Sequence, residues 1–204
     1  MYYDTREGRE KSMIIGICGK SGSGKSTLSN YIKELSNKEC IHLDMDKVGH
    51  RVLLLPEVMD ELVNTFGESI INENIVDRKK LGEIVFASRN EMGKLTNITW
   101  KYMQIEIDKF ISDNKDKTII LDWLLLPLTK YFDMCDIRIL LDIPYEIRKE
   151  RAMRRDNISE EVFNLRESAS IDYDKDQFDY VLKTNNKEDV EKMVKKYDKS
   201  IISW

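Results

Sequence analysis

Short apolar runs alternate with longer amphipathic segments along the chain. Each run has four to six residues, contains Ile, Leu or Val, and is followed by a glycine, an aspartate or a lysine. Such short continuous runs are typical of strands that are buried on both faces of a parallel sheet. The predicted strands are residues 13–18, 39–43, 118–121, 137–141 and 178–182.

Between these runs the apolar residues recur three and four positions apart, which predicts helices. The pattern covers residues 28–35 and a long segment from 48 to about 109. A further helix is expected to start near Tyr145, a second one after the capping residue Ser159, and a last one at 187–197. Because strands separated by helices form parallel βαβ units, the pattern predicts a three-layer α/β fold.

Composition and charge exclude several classes of protein. The chain has 204 residues, is 41% hydrophobic, and carries 33 basic against 37 acidic residues, a net charge of −4. It can therefore bury a core as a single domain, and its mild acidity argues against nucleic acid as a partner. No apolar run approaches the length of a membrane span, so a membrane partner is not expected.

The cysteines and the first residues indicate a reducing compartment. Cys18, Cys40 and Cys135 are far apart and match neither a metal-site spacing nor a disulfide framework, so we expect small buried residues in a cytoplasmic protein. Residues 1–12 are polar and lack the apolar stretch of a signal peptide. We interpret them as a flexible extension.

A glycine-rich loop between the first strand and the first helix is the strongest chemical signal. It fits the pattern G-x-x-x-x-G-K-[ST], in which backbone N–H groups and a helix N-terminus surround phosphate groups. In this pattern Lys25 reaches the β- and γ-phosphates, and the hydroxyl of Ser26 binds Mg²⁺. The predicted ATP-binding residues are Gly19, Lys20, Ser21, Gly22, Ser23, Gly24, Lys25, Ser26 and Thr27.

Three aspartates stand where predicted strands end. Asp44 and Asp46 follow the second strand, and Asp122 follows the third. Since strand ends face the ligand crevice in such sheets, these carboxylates should surround the loop. We expect Asp122 and Asp44 to orient Mg²⁺, and Asp46 to take the proton of an alcohol acceptor. The alternative for each is a structural cap of the following helix.

Five basic residues occur within positions 148–155. Arg151 and Arg155 are four positions apart and share a helix face, where they could hold the phosphate groups of ATP. With the next helix they would form a lid that closes over the nucleotide. The alternative is a solvated basic helix face.

These motifs, in this order, resemble the dephospho-CoA kinase family. The matching segments are the loop at 19–27, the acidic turn at 44–46 with Gly49-His50, Phe66-Gly67, and residues 76–86, 121–126, 151–156 and 178–182. The resemblance implies an ATP-dependent kinase that phosphorylates the 3′-hydroxyl of the small molecule dephospho-CoA. It also implies a P-loop kinase fold with a parallel sheet, a helical acceptor-binding insertion and a helical lid.

The resemblance assigns regions and residues. The core would comprise about 13–47, 110–144 and 171–204, the acceptor lobe about 48–109, and the lid about 145–170. Arg151 would clamp phosphate, Asp46 would activate the hydroxyl, and Thr184 and Asn185 would border the adenine. The residues implied at the acceptor are Asp46, His50, Arg78 and Trp100.

The chain departs from the family pattern mainly on the acceptor side, although Arg166 of the lid is retained. Trp100-Lys101 stands where a His-Pro pair is expected, Leu124 for a proline, Leu128 for a glutamate and Ser170 for a glutamine. Two alternatives therefore stay open: a kinase of another small alcohol, such as a nucleoside or nucleotide, and a nucleotide-binding protein without turnover.

Overall fold

The computed structural model describes residues 13–183, 186, 188–193 and 195. The predicted extension at 1–12, the pair Thr184 and Asn185, and part of the predicted helix at 187–197 lie outside these residues. Over the described part, no helix is both long and apolar enough to cross a membrane.

Strands and helices alternate as the hydrophobic pattern predicts. The strands are β1 (Ile14–Cys18), β2 (Cys40–Asp44), β3 (Ile71–Asn72), β4 (Ile75–Val76), β5 (Thr118–Asp122), β6 (Ile137–Leu141) and β7 (Tyr180–Leu182). The helices are α1 (Lys25–Leu35), α2 (Met45–Val52), α3 (Pro56–Phe66), α4 (Arg78–Phe86), α5 (Arg89–Asp113), α6 (Lys130–Asp133), α7 (Tyr145–Asp156) and α8 (Glu160–Ser168).

Five strands form one parallel sheet in the order β2-β5-β1-β6-β7. The central strand β1 is buried along its whole length, as expected for a strand between two helical layers. One face packs on α2 to α5 and the other on α1 and the helical residues Val190 and Met193. The predicted three-layer α/β fold class is thus confirmed.

The register of the sheet brings the predicted site residues to one edge. Asp44 is the last residue of β2 and pairs with Asp122, the last residue of β5. Residue 17 of β1 also pairs with Asp122, so the glycine-rich loop starts beside the same edge. All three cysteines are free and buried, in agreement with the prediction.

The segment from 48 to 109 is not helical throughout, contrary to the prediction. It contains α2 to α5 and a two-stranded antiparallel hairpin, β3–β4. Glu73 and Asn74 adopt positive φ angles of 48° and 62° between the two strands. A two-residue turn with both φ angles positive suits the twist of a hairpin, which explains why the helical pattern breaks here.

A buried arginine connects the loop with α7 and α8. Arg148 is 6% exposed, and its guanidinium donates two hydrogen bonds to Glu167 at 2.7 and 2.9 Å. It also donates to the carbonyl oxygens of Ile143 at 3.0 Å and Ser21 at 3.3 Å. The carbonyl of Arg148 lies so close to Gly22 that a Cβ atom there would be 2.1 Å from its oxygen.

Two glycines with equally open surroundings should respond oppositely to alanine. A Cβ atom at Gly93 or Gly67 would meet nothing within 4 Å, but Gly67 has a φ of +85° whereas Gly93 lies inside α5. We expect Gly93→Ala to raise the free energy of unfolding by about 0.5–1 kcal/mol. Gly67→Ala should lower it by about 1–3 kcal/mol. Urea unfolding measures both, and equal effects would contradict the assigned backbone conformations.

The pair of Arg148 and Glu167 should make stability depend on pH. Hydrogen bonds from Arg148 lower the pKa of Glu167, so the stabilisation is present above the pKa of an unfolded glutamate and is lost as pH falls through the lower folded value. We expect Glu167→Gln to cost about 1–3 kcal/mol at neutral pH, and this cost should shrink as the pH falls below the pKa of an unfolded glutamate. The control is Glu150→Gln at an exposed position of α7, which should change stability little at either pH.

Candidate active site

The glycine-rich loop joins β1 to α1 as the motif predicts. The loop occupies residues 19–24, and α1 begins at Lys25. Gly22 and Gly24 have φ angles of 78° and 90°, which bend the backbone into a compact turn at the start of the helix. The hydroxyl of Ser23 is buried and has no hydrogen-bond partner among the described residues. A loop of this shape and a helix N-terminus together can bind an anion.

Asp122 lies at the centre of the polar contacts next to this loop. It is 3% exposed, accepts a hydrogen bond from the hydroxyl of Ser26 at 3.2 Å, and has the ammonium of Lys25 at 3.9 Å. Hydroxyl and carboxylate oxygens are the ligands that Mg²⁺ prefers, and Mg²⁺ commonly takes only one or two protein ligands beside phosphates. Over the described residues, no group of three His, Cys, Asp or Glu side chains could hold a metal by itself.

His42 belongs to the same cluster. It lies in the predicted strand at 39–43, and no motif in the sequence assigned it to the site. Its Nε2 atom is 3.3 Å from Oδ2 of Asp122. His42 and Asp44 are two residues apart on β2, so the two side chains point to the same face of the sheet. That alternation was the signal in the sequence that could have linked His42 to the predicted site.

Asp44 caps α2, which is the structural role left open as the alternative. Its Oδ1 atom accepts a hydrogen bond from the backbone N–H of Lys47 at 3.2 Å, and the ammonium of Lys47 is 3.4 Å from Oδ2. The register nevertheless keeps Asp44 directly beside Asp122. The cap therefore fixes this carboxylate at the same edge of the sheet.

Asp46 follows in the first turn of α2, and its side chain is accessible to solvent. The pKa of Asp46 is raised, first because neighbouring protein atoms displace part of its hydration and then because Asp44 and Asp122 carry like charge. Lys25 and a hydrogen bond from the indole N–H of Trp123, at 3.0 Å, act in the opposite direction. Asp46 is thus an open carboxylate near Lys25 and can accept a proton.

His50, one of the residues implied at the acceptor, lies in the electrostatic range of Asp46. The pKa of His50 is lowered, mainly by loss of hydration and also by the positive charge of Arg78, while Asp46 and Asp44 oppose that shift. Trp100 stacks on Trp123 with ring centres 5.7 Å apart and an angle of 16° between the planes. His50, Arg78 and Trp100 are therefore all linked to the surroundings of Asp46, directly or through one neighbour.

Of the arginines predicted for the lid, Arg151 and Arg155 lie on α7 and Arg166 lies on α8, and Arg155 is within electrostatic range of Asp46 and Asp44. Arg155 pairs with Asp156 through two contacts of 2.7 and 3.0 Å, and Arg166 pairs with Asp156 as well. These partners lower the pKa of Asp156, first through the hydrogen bond from Arg155. The pKa of Arg155 is raised, mainly by Asp156 and to a smaller extent by Asp46 and Asp44. Arg151 is partly buried one turn earlier on α7.

The arrangement combines an anion-binding loop, an ammonium group, oxygen ligands for a cation and an open carboxylate. These are the parts that phosphoryl transfer to an alcohol requires, because positioning and charge stabilisation supply most of its catalysis. Thr184 and Asn185 were predicted beside the adenine and lie outside the described residues.

The chain matches known proteins along nearly its whole length. A family model described as dephospho-CoA kinase matches residues 13–201. The dephospho-CoA kinase of Fusobacterium nucleatum is 34% identical over 93% of this chain and 98% of its own length. That of Aquifex aeolicus is 36% identical over 89% of this chain and 94% of its own length.

Solved structures share the fold. A crystal structure of a Thermus thermophilus protein is 21% identical, covers 96% of this chain and 100% of its own, and has a TM-score of 0.76. The dephospho-CoA kinase from Campylobacter jejuni is 24% identical, covers 93% of this chain and 97% of its own, and has a TM-score of 0.55. With the family model and both relatives in agreement, the chain belongs to the dephospho-CoA kinase family.

Proposed function

We propose that this protein transfers the γ-phosphoryl group of ATP to the 3′-hydroxyl of dephospho-CoA, giving CoA and ADP. The observation that carries the proposal is the open carboxylate of Asp46 beside Lys25, at the mouth of a phosphate-binding loop. Membership of the dephospho-CoA kinase family supports the choice of acceptor. We infer a cytoplasmic location, where buried free thiols such as Cys18 stay reduced.

ATP binds with its phosphates along residues 19–27. Backbone N–H groups of the loop and the start of α1 contact the phosphate oxygens, and Lys25 contacts the β- and γ-phosphates. Ser26, Asp122 and Asp44 would hold Mg²⁺, which when bound neutralises charge on the phosphates. The contact between the Ser26 hydroxyl and Asp122 supports this set, because it already brings two oxygen ligands together.

The oxygen of the acceptor hydroxyl attacks the γ-phosphorus in line with the leaving ADP oxygen, and Asp46 accepts the proton of that hydroxyl. The raised pKa of Asp46 favours this role, since a carboxylate with a higher pKa is a stronger base. Lys25, Arg151 and Arg155 hold the charge of the transferred group. All three side chains are cationic types, and the negative charge of Asp46 contributes to the raised pKa of Arg155.

The acceptor lies in the helical lobe at about 48–109, and the lid at about 145–170 excludes water. His50, Arg78 and Trp100 contact the acceptor in this proposal. The electrostatic coupling of His50 with Arg78 and Asp46 supports a shared site. The altered residues of the lobe, Trp100 above all, also favour a second candidate, a kinase of a different small nucleoside or nucleotide.

Incubation with ATP, Mg²⁺ and dephospho-CoA tests the reaction. We expect stoichiometric formation of CoA and ADP, followed by chromatography, and no CoA when EDTA removes the divalent cation. A thermal-shift panel of nucleosides and nucleotides serves as the comparison, because a true acceptor stabilises the protein by mass action. Turnover of a panel member without turnover of dephospho-CoA would favour the second candidate.

Two substitutions should separate chemistry from ATP binding. Asp46→Asn removes the proton acceptor, so we expect kcat to fall by about 10²- to 10⁴-fold while the affinity for ATP is kept. Lys25→Ala removes a phosphate contact and should lower both kcat and the affinity for ATP. Isothermal titration with ATP and steady-state kinetics measure the two quantities. Full activity of Asp46→Asn would remove Asp46 from this role.

A further inference from the structure

Trp123 directly follows Asp122, and its side chain reaches α2. Its backbone N–H donates to the carbonyl of Ile17 at 3.1 Å, so the pairing of β5 with β1 fixes where the side chain starts. Its indole N–H donates to Oδ1 of Asp46 at 3.0 Å. Among the described residues, the indole of Trp123 is thus the hydrogen-bond donor to the carboxylate of Asp46.

The ring of Trp123 is also held by packing. It stacks on Trp100 of α5 at 5.7 Å, and Trp100 meets the edge of Tyr131 at 6.3 Å with a plane angle of 73°. Tyr131 is fully buried, and its hydroxyl donates to Asp108 of α5 at 2.8 Å. Three rings thus form a continuous packed series that ends at Asp46.

A proton acceptor must point at its substrate, and Asp46 has little else to fix it. Its side chain is solvent-accessible and sits on the first turn of α2, and among the described residues the indole of Trp123 donates the hydrogen bond that orients it. A donor on a rigid ring selects one orientation of the carboxylate. Oδ1 is then occupied, and Oδ2 is left for the hydroxyl group. Such prior alignment lowers a reaction barrier because no reorientation is needed at the moment of transfer.

We propose that Trp123 is a positioning residue for phosphoryl transfer, in which its indole N–H holds Oδ1 of Asp46 so that Oδ2 faces the acceptor hydroxyl. The proposal rests on the proposed function, in which Asp46 takes the proton of that hydroxyl. In this step the proton passes to Oδ2, the new O–P bond forms, and the bond between the γ-phosphorus and the ADP oxygen breaks. Trp123 touches no reacting atom and acts through Asp46.

The first test is Trp123→Phe, which keeps an aromatic ring on Trp100 and removes the N–H donor. We expect kcat to fall by about 10- to 100-fold, with the KM for ATP changed by less than about twofold. A variant with normal kcat and an altered KM for the acceptor would overturn the proposal, because Trp123 would then contact substrate instead of orienting the base.

A double-mutant cycle with Asp46→Ala separates positioning from general structural support. If Trp123 acts through Asp46, Trp123→Phe should change the residual kcat of Asp46→Ala by less than about twofold. An equal loss in both backgrounds would overturn the proposal. Should Trp123→Phe unfold, the same cycle is run with benzothienylalanine at position 123, whose sulfur replaces the indole N–H at nearly constant shape.

The hydrogen bond between Trp123 and Asp46 can also be detected by NMR in the absence of a phosphoryl acceptor. The chain has three tryptophans, and ¹⁵N labelling gives three indole resonances, of which the one lost in the position-123 variant belongs to Trp123. Asp46→Ala should move that resonance upfield, since a hydrogen bond to a carboxylate deshields the donor proton. An unmoved resonance would overturn the proposal. A moved resonance in a protein that makes no CoA would instead count against the proposed function alone.

Discussion

The buried carboxylate of Asp122 determines how the phosphate-binding end of the sheet is built. A carboxylate that is 3% exposed costs several kcal/mol unless it is paired and hydrogen-bonded. Ser26 and Lys25 meet it from the start of α1, and His42 meets it from β2. Because two of these partners belong to the first turn of α1, this helix must begin against the end of β5. The loop before it is thereby held at the mouth of the crevice.

A second buried charge, that of Arg148, contacts the glycine-rich loop from α7. The guanidinium of Arg148 satisfies the carbonyl of Ser21 in the loop and the carboxylate of Glu167 on α8 at the same time. The loop therefore lies between two ionic centres, one at the end of β5 and one formed by α7 and α8. Gly22 has no room for a side chain because the backbone of Arg148 passes against it. A change in the position of α7 would therefore move the backbone of Arg148 and change its contacts with Ser21 and Gly22 in the loop.

The sequence allowed prediction of those features that depend on local pattern. The parallel strands, the loop and the helix cap at Ser159 need only neighbouring residues, and the structure has each of them within two residues of its expected place. The hairpin at β3–β4 escaped prediction because its turn depends on Glu73 and Asn74 at positive φ, a feature that apolar periodicity does not encode. The alternation of β2 could have placed His42 on the same face as Asp44, but its position beside Asp122 depends on the strand register. The stacking of Trp123 depends on the packing of α5, which no local pattern encodes.

The distribution of charge explains how an acidic chain can accommodate an anionic ligand. Asp44, Asp46 and Asp122 lie close enough to one another that the first and the last raise the pKa of the second. Alone, this cluster would repel a triphosphate. Lys25 at the start of α1 and Arg155 on α7 both interact electrostatically with carboxylates of the cluster, so cations from two different helices offset its negative charge. Asp156 holds Arg155 on its helix and keeps that cation in place. The net charge of −4 is thus a poor guide to ligand preference, because attraction over a few ångströms depends on where the charges lie and not on their sum.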